Sequence, residues 1–287
     1  MFIYINGKIV HKDEVTISPF DHGFLYGLGV FETFRTYEGK PFLFNEHWDR
    51  LQQGLTELNI HLKFSKEEIF HAVQTLCSKN QWPESRLRLN ISAGVGDVGL
   101  QTSPYLDPNV LIFQSPLPET KVKQVKKLKV LKRTRNTPEG EFRLKSHHYL
   151  NNILAKREIG DNPALEGLFL TTEGYVAEGI VSNVFWVKSG ELFTPTVKTG
   201  ILNGITRQFV MKLANYLGIG VHEGFYEMSD LLSADEVFVT NSIQEIVPID
   251  AVQGEKEYGG FTPITYRLDK AYQVCIFGEK AGRPVRF

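Results

Sequence analysis

The chain has 287 residues, 42% hydrophobic and 23% charged, with a formal net charge of −1. That is the composition of an ordinary globular protein with enough apolar material for one large domain or two modest ones. A near-zero net charge gives no global attraction to nucleic acid or to an acidic membrane, so an anionic ligand must be met by a local cluster of Lys and Arg, and the expected partner is a small molecule.

The opening MFIYINGKIV has no basic lead before a long apolar stretch. No later run approaches the roughly 20 apolar residues of a membrane span, so a cytoplasmic location is expected. Residues 3–5 and 8–10 flank Asn6-Gly7, a pair that adopts positive φ readily, which predicts a hairpin. A second hairpin is expected over 30–44 about Glu38-Gly39, followed by a helix over 46–58 with Asn45 as cap. Ser65 and Glu68 have capping-box spacing, and Ile69, Val73 and Leu76 share one helical face, which predicts a helix over 66–79. The alternation RLRLNIS at 86–92 and the apolar run 110–113 predict strands of a mixed sheet.

The stretch SPLPETKVKQVKKLK, residues 115–129, reads as a solvated connection with a domain boundary near 118, giving domains 1–118 and 119–287. Its lysines are either a solvated linker and strand edge or a patch that attracts an anionic substrate. Beyond it the pattern predicts a strand over 130–133, a helix over 149–159, strands over 168–171 and 184–187, and a helix over 206–217 closed by Gly218. A strand over 236–240 and a last helix from Pro263, capped by Thr262, complete an α/β chain of the α+β type with mixed sheets. Cys77 and Cys275 fall in helical segments without CxxC spacing or a nearby histidine set, so buried thiols and no metal are expected.

A lysine that bonds a carbonyl needs an enclosed setting, and Lys145 sits in FRLKSHHYLNN beside Arg143, His147, His148 and Tyr149. Alone, that segment does not separate it from a surface lysine. It is joined by EHWDRL at 46–51, AEGIVSNVFW at 177–186, GILNGITR at 200–207 and TNSIQEI at 240–246. In order and spacing, over nearly the whole chain, this set resembles the class IV aminotransferases, the fold type IV pyridoxal-phosphate enzymes. That family includes branched-chain and D-amino-acid aminotransferases and aminodeoxychorismate lyases. The resemblance implies a two-domain, D-amino-acid-aminotransferase-like fold, pyridoxal 5'-phosphate as cofactor, and a homodimer with active sites near the subunit interface.

By that resemblance Lys145 bonds the cofactor, and Glu178 faces its pyridine nitrogen, where a carboxylate favours the protonated ring that accepts electrons. Without it, Glu178 reads as a turn carboxylate. Arg50 matches the family's phosphate arginine, able to engage two oxygens with its planar fork, and otherwise reads as a surface ion pair. Ile205 and Thr206 open a helix whose free amides and dipole favour the phosphate, although the same text suits an ordinary helix start. Ser242 matches a further phosphate-contacting hydroxyl and Tyr149 the tyrosine near the cofactor's phenolic oxygen; both could be structural hydroxyls.

The segment YGLGVFETFRT, residues 26–36, differs between subgroups of the family. Thr33 stands where branched-chain aminotransferases usually carry glycine, and its hydroxyl suits a polar ring substrate or a proton transfer. With SPFDHGFLYG at 18–27 and NTPEGEFRLKSHHYLNN at 136–152, the chain most resembles aminodeoxychorismate lyases of the Bacillus type. The implied reaction converts 4-amino-4-deoxychorismate to 4-aminobenzoate and pyruvate for folate biosynthesis, with Lys145 and Thr33 catalytic. Such a substrate carries two carboxylates, for which Arg88 and Arg143 are the candidate ligands, although either could instead pair with a surface acid. Transamination of branched-chain or D-amino acids is the alternative, because it would use the same cofactor residues. A non-catalytic carrier would need a damaged set, yet Lys145, Glu178, Arg50 and GITR are all present.

Overall fold

The computed structural model describes residues 1–117, 124–252, 254–260 and 262–277. The boundary expected near 118 therefore lies outside the described residues. The chain divides into two compact units, Met1–Glu119 with Leu144–Tyr149, and Thr120–Arg143 with Leu150–Phe287. Lys145 thus packs with the first unit.

In the first unit, β1 (Phe2–Ile5) and β2 (Lys8–His11) pair with Ile5 opposite Lys8. Asn6 at φ 46° and Gly7 at φ 89° make the two-residue turn that matches strand twist. A short helix α1 (His22–Tyr26) precedes β3 (Gly29–Tyr37), which turns through Glu38-Gly39 into β4 (Lys40–Pro41). Helices α2 (Phe44–Glu57) and α3 (Lys66–Asn80) follow, then β5 (Ser85–Ser92) and β6 (Asn109–Pro116).

These six strands form one sheet, ordered β2-β1-β6-β5-β3-β4, and every pairing is antiparallel. The mixed sheet expected for 86–92 and 110–113 is not found here, because β5 returns directly alongside β6 and needs no crossover. Val30 and Phe34 of β3 and Leu87, Leu89 and Ile91 of β5 pack on Leu51, Leu55, Ile69, Val73 and Leu76 of the two helices. Each such side chain contributes about 1.5–3 kcal/mol when fully buried.

The Ser65–Glu68 capping box opens α3. Asn45 does not cap α2; the cap position is Leu43 at φ 54°, without a side-chain hydrogen bond. Starting the helix earlier buries Phe44 edge-on against Phe34 and Phe70, with ring centroids 5.7 and 5.3 Å apart, and that apolar gain replaces the polar cap.

The second unit begins with β7 (Lys126–Val130), α4 (Leu150–Ile159), β8 (Leu165–Leu170), β9 (Val176–Gly179), β10 (Asn183–Lys188) and β11 (Glu191–Pro195). Then come α5 (Ile205–Tyr216), β12 (Val221–Gly224), α6 (Met228–Leu232), β13 (Glu236–Asn241), β14 (Glu245–Val252), β15 (Lys256–Glu257) and α7 (Pro263–Phe277). The nine-stranded sheet runs β12-β11-β10-β13-β14-β7-β8-β9, with β15 beside β14. Its β11–β12, β14–β7 and β7–β8 pairs are parallel and the rest antiparallel, so this sheet is the mixed one.

Four expectations change here. The strand placed at 130–133 is β7, four residues earlier, and the end of the basic run is an internal strand rather than a solvated link. Leu128 is fully buried, and Lys126 donates to Gln244 Oε1 at 3.1 Å with Glu166 3.7 Å away; alternation with apolar neighbours outweighed the lysine content. The Thr262 carbonyl accepts from Tyr266 N–H at 2.9 Å, but its hydroxyl does not cap α7, where the amides of Ile264 and Thr265 donate to the buried Glu236 carboxylate at 3.0 and 2.7 Å. Cys77 is buried as expected, whereas Cys275 on α7 is only partly so. Among the described residues, no helix is long and apolar enough to cross a membrane.

Candidate functional site

Alternation along β3 sorts the first unit's functional side chains onto two faces. Val30 forms an antiparallel bridge with Ser146, Phe31 N–H donates to Lys145 O at 2.9 Å, and His147 N–H donates to Gly29 O at 3.0 Å. Lys145 therefore lies opposite Phe31, just as Arg88 of β5 lies opposite Thr33. Residues opposite one another in an antiparallel pair project from the same face, so Phe31, Thr33, Arg88 and Lys145 share one.

The Phe31 ring is their common support. Lys145 Nζ is 4.7 Å and Arg88 Cζ 3.5 Å from its centroid, and Tyr149 meets it edge-on at 5.7 Å. Arg88 also donates from Nε and Nη2 to Asn90 Oδ1 at 3.3 and 3.2 Å, and burial lowers its pKa. His147 is held down to about 4 by burial and the Arg88 charge, against the pull of Asp21. Its ring needs a glycine beneath it, since a Cβ on Gly29 would lie 2.4 Å from His147 Cε1.

On the other face of β3, the Glu32 carboxylate is 1% exposed and accepts from Arg50 Nε at 2.7 Å, Arg50 Nη2 at 2.8 Å and His47 Nδ1 at 2.6 Å. Burial pushes Glu32 up, but the permanent Arg50 charge and the histidine contacts outweigh it and leave it at about 2. Burial lowers the His47 pKa against the pull of Glu32, and a ring nitrogen facing an ionised carboxylate at 2.6 Å donates its N–H to it.

In the second unit, Glu178 lies within β9, where all four residues are buried, rather than in a turn. Its Oε1 accepts from Arg135 Nε at 2.8 Å, and its Oε2 from Leu202 N–H at 3.1 Å and Asn183 Nδ2 at 3.4 Å. Arg143 Nε is 3.9 Å from Glu178 Oε1, while its guanidinium donates to the carbonyls of Gly200 and Asn136. Burial and the neighbouring Arg135 push Arg143 down to about 10, against the pull of Glu178 and Glu139.

Ile205 and Thr206 are the first residues of α5, after Gly204 in extended conformation with no side-chain cap. The first amides of a helix have no partner within it. Thr206 Oγ1 lies 3.3 Å from Ser242 Oγ, and Thr240 Oγ1 is buried without a hydrogen-bond partner among the described residues. A Cβ on Gly204 would fall 2.1 Å from Asn183 Oδ1, so the helix start approaches β10 as closely as glycine allows. Helix amides beside two hydroxyls are a donor set for a phosphate-like anion.

The structure thus gathers Arg88, Lys145 and Tyr149 at Phe31 with Thr33 on the same face of β3, ties Arg50 to Glu32, and holds Glu178, Arg143, Ile205, Thr206 and Ser242 within the second unit. Phe31, Glu32, His47, Arg135 and Asn183 were not singled out from the sequence. Glu32 carried a readable signal, a carboxylate at an inward position of an alternating strand; Arg135, in the basic text KRTRNTP, carried none.

Residues 29–252 match the family described as amino-transferase class IV. The chain belongs to the class IV aminotransferase family. Within it, the chain is 50% identical over 289 residues to the aminodeoxychorismate lyase of Bacillus subtilis (strain 168), covering 99% of each chain. It is 30% identical over 287 residues to the D-alanine aminotransferase of Bacillus licheniformis, covering 98% of this chain and 99% of that one. A crystal structure of the branched-chain aminotransferase from the thermophilic archaeon Thermoproteus uzoniensis, with norvaline, matches with a TM-score of 0.87 at 27% identity, covering 98% of this chain and 96% of that one. The two-unit, mixed α/β architecture is accordingly that of the class IV aminotransferases.

Proposed function

We propose that this chain is a pyridoxal-phosphate-dependent aminodeoxychorismate lyase, a carbon–oxygen lyase that converts 4-amino-4-deoxychorismate to 4-aminobenzoate and pyruvate in folate biosynthesis. The observation that carries this reading is the 50% identity to the B. subtilis lyase across 99% of both chains.

The donor sets fit the cofactor. A lysine amine, a buried carboxylate and a helix start with two hydroxyls answer the aldehyde, ring nitrogen and phosphate that pyridoxal phosphate presents. Lys145 would bond the cofactor, Glu178 would pair with its ring nitrogen, and Tyr149 would serve its phenolic oxygen. Arg50, Ile205, Thr206 and Ser242 would hold its phosphate. When bound, the cofactor supplies an electron sink for cleavage at the amine-bearing carbon.

The protein's own groups manage protons and charge. Once the substrate's ring amine has replaced it on the cofactor, the freed Lys145 Nζ would take the proton from the ring carbon that bears that amine. The neighbouring carbon–oxygen bond breaks, the enolpyruvyl methylene gains a proton to give pyruvate, and the ring becomes aromatic. Thr33 Oγ1, on the Lys145 face of β3, is the hydroxyl available to hydrogen-bond the substrate or relay a proton. Arg88, on that same face, receives a substrate carboxylate. Arg143, whose guanidinium is already donated to two carbonyls, takes a supporting part beside Glu178.

The same reading makes the protein a cytoplasmic homodimer. Phe24, Val98 and Leu100 of the first unit are 75%, 73% and 93% exposed, which supports association through a further surface.

The deciding experiment supplies enzymatically generated aminodeoxychorismate to the protein with pyridoxal phosphate and assays 4-aminobenzoate and pyruvate together, with Lys145→Ala as control. Equal, Lys145-dependent release of both establishes the lyase. Absence of both, with steady transfer from D-alanine or leucine to 2-oxoglutarate, replaces it by transamination.

A further inference from the structure

Arg135 is a buried arginine, 7% exposed, that no part of the reaction above uses. Its backbone N–H donates to Leu170 O at 2.8 Å, which fixes the chain beyond β7 against the end of β8. Its Nη1 donates to Asn151 Oδ1 at 2.7 Å and to Asn152 and Asn136 Oδ1 at 3.3 Å each. Asn151 and Asn152 belong to the first turn of α4. Asn152 also donates to Ile180 O, two residues after Glu178, and Asn151 to Thr134 O at 3.1 Å. The asparagine pair that ends FRLKSHHYLNN therefore ties the approach to Arg135 to the turn that follows Glu178.

Neutral amide oxygens orient a guanidinium but leave its charge uncompensated, and a buried cation requires an anion. Here that anion is Glu178, reached by Nε at 2.8 Å. The other cation facing Glu178 is Arg143, whose Nε is 3.9 Å from the same Oε1. Both arginines thus lie on the Oε1 side. Among the described residues, Oε2 has only the longer contacts from Leu202 N–H at 3.1 Å and Asn183 Nδ2 at 3.4 Å, and hydrogen bonds weaken with length.

We infer that Arg135 is a positioning residue that clamps Glu178 through Oε1, so that Oε2 is the oxygen Glu178 presents to the cofactor's ring nitrogen. This rests on the reading of Glu178 given above. A lysine cannot take its place, because an ammonium is a point charge without the fork that meets the carboxylate and the amides together.

The test compares Arg135→Met, Arg135→Lys, Glu178→Gln and the Arg135→Met/Glu178→Gln double variant as full-length protein. Two quantities are read: the dissociation constant for pyridoxal phosphate, and the pH midpoint of the absorption band of the lysine-bound cofactor. Arg135→Met is expected to weaken binding about tenfold and to move the midpoint, Arg135→Lys to fail to restore either, and the double variant to add little to Glu178→Gln alone. Effects that multiply in the double variant, or an Arg135→Met protein with unchanged affinity and midpoint, overturn the inference. A Glu178→Gln protein with an unchanged midpoint overturns the reading of Glu178 itself, and the inference with it. Should Arg135→Met fail to fold, Asn151→Ala, which removes the 2.7 Å contact to Nη1, must move both quantities in the same direction, and its failure to do so is equally decisive.

Discussion

Glu32 and Arg50 meet through two parallel hydrogen bonds, Nε to Oε1 at 2.7 Å and Nη2 to Oε2 at 2.8 Å. One strand thus presents Phe31 and Thr33 on one face and, between them in sequence, an anchor for the arginine assigned to the phosphate on the other. Removing one partner of a buried pair strands the other charge, which costs on the order of 3 kcal/mol. Glu32→Gln is therefore expected to lower the urea unfolding midpoint by a corresponding amount, and to weaken pyridoxal phosphate binding more than that of phosphate-free pyridoxal. An unchanged midpoint would show that the pair contributes nothing net; equal losses for both ligands would detach Arg50 from the phosphate.

Acid should weaken the protein in two stages, both set in the first unit. His147 in the folded chain sits near 4 rather than 6.5, and Glu32 near 2 rather than 4.5. Each group binds its proton more readily when unfolded, so stability falls as pH falls. The His147 share is lost from about 6.5 down to about 4, and the Glu32 share from about 4.5 down to about 2. His47, whose pKa burial also lowers, shares the upper stage, so urea titrations at stepped pH should show His147→Gln reducing the upper part of this decline while leaving the lower part. Parallel curves for variant and wild type across the upper stage would contradict it.

What could be read from the sequence, and what could not, follows from the range of the interactions involved. The Asn6-Gly7 hairpin and the Ser65–Glu68 capping box are written within a few residues, and both stand in the fold. The α2 start was misjudged because its cap gives way to Phe44 meeting Phe70, a residue of another helix. The α7 start is satisfied by Glu236, distant in sequence, so no local text announces it. Lys126 looked like solvent-facing charge because its compensation comes from Glu166 and Gln244 on other segments. The same holds at the candidate site. Lys145 and Glu178 stood out through family resemblance, whereas Arg135, which holds Glu178, becomes visible only when β7, α4 and β9 are brought together.

Thr33 offers a cleaner separation of chemistry from cofactor binding. It faces Arg88 across the β3–β5 pair, on the Lys145 side of the sheet. A hydroxyl that assists proton transfer contributes roughly a hundredfold or more. Thr33→Ala is expected to lose about that factor in kcat for 4-aminobenzoate release while keeping the absorption band of the lysine-bound cofactor, and Thr33→Ser to retain most of the rate. A Thr33→Ala enzyme within about twofold of wild type would leave the hydroxyl without a part in proton transfer.

Gly204 tests the helix start as a phosphate seat. Its φ of −61° is open to any residue, so Gly204→Ala carries no backbone strain. The added Cβ would nevertheless lie 2.1 Å from Asn183 Oδ1, and Asn183 Nδ2 donates to Leu202 O at 2.8 Å. Accommodating the methyl group must therefore displace Asn183, the 202–204 segment or the first turn of α5. Such overpacking typically costs about 1–3 kcal/mol. If that strain falls on the amides of Ile205 and Thr206, pyridoxal phosphate should bind about tenfold or more weakly, since about 1.4 kcal/mol corresponds to a factor of ten. Phosphate-free pyridoxal should be little affected, because it makes no demand on the helix start. An equal loss for both ligands would mean that the substitution acts through Asn183 and Glu178 at the ring nitrogen, and unchanged binding of both would remove the start of α5 from the cofactor site.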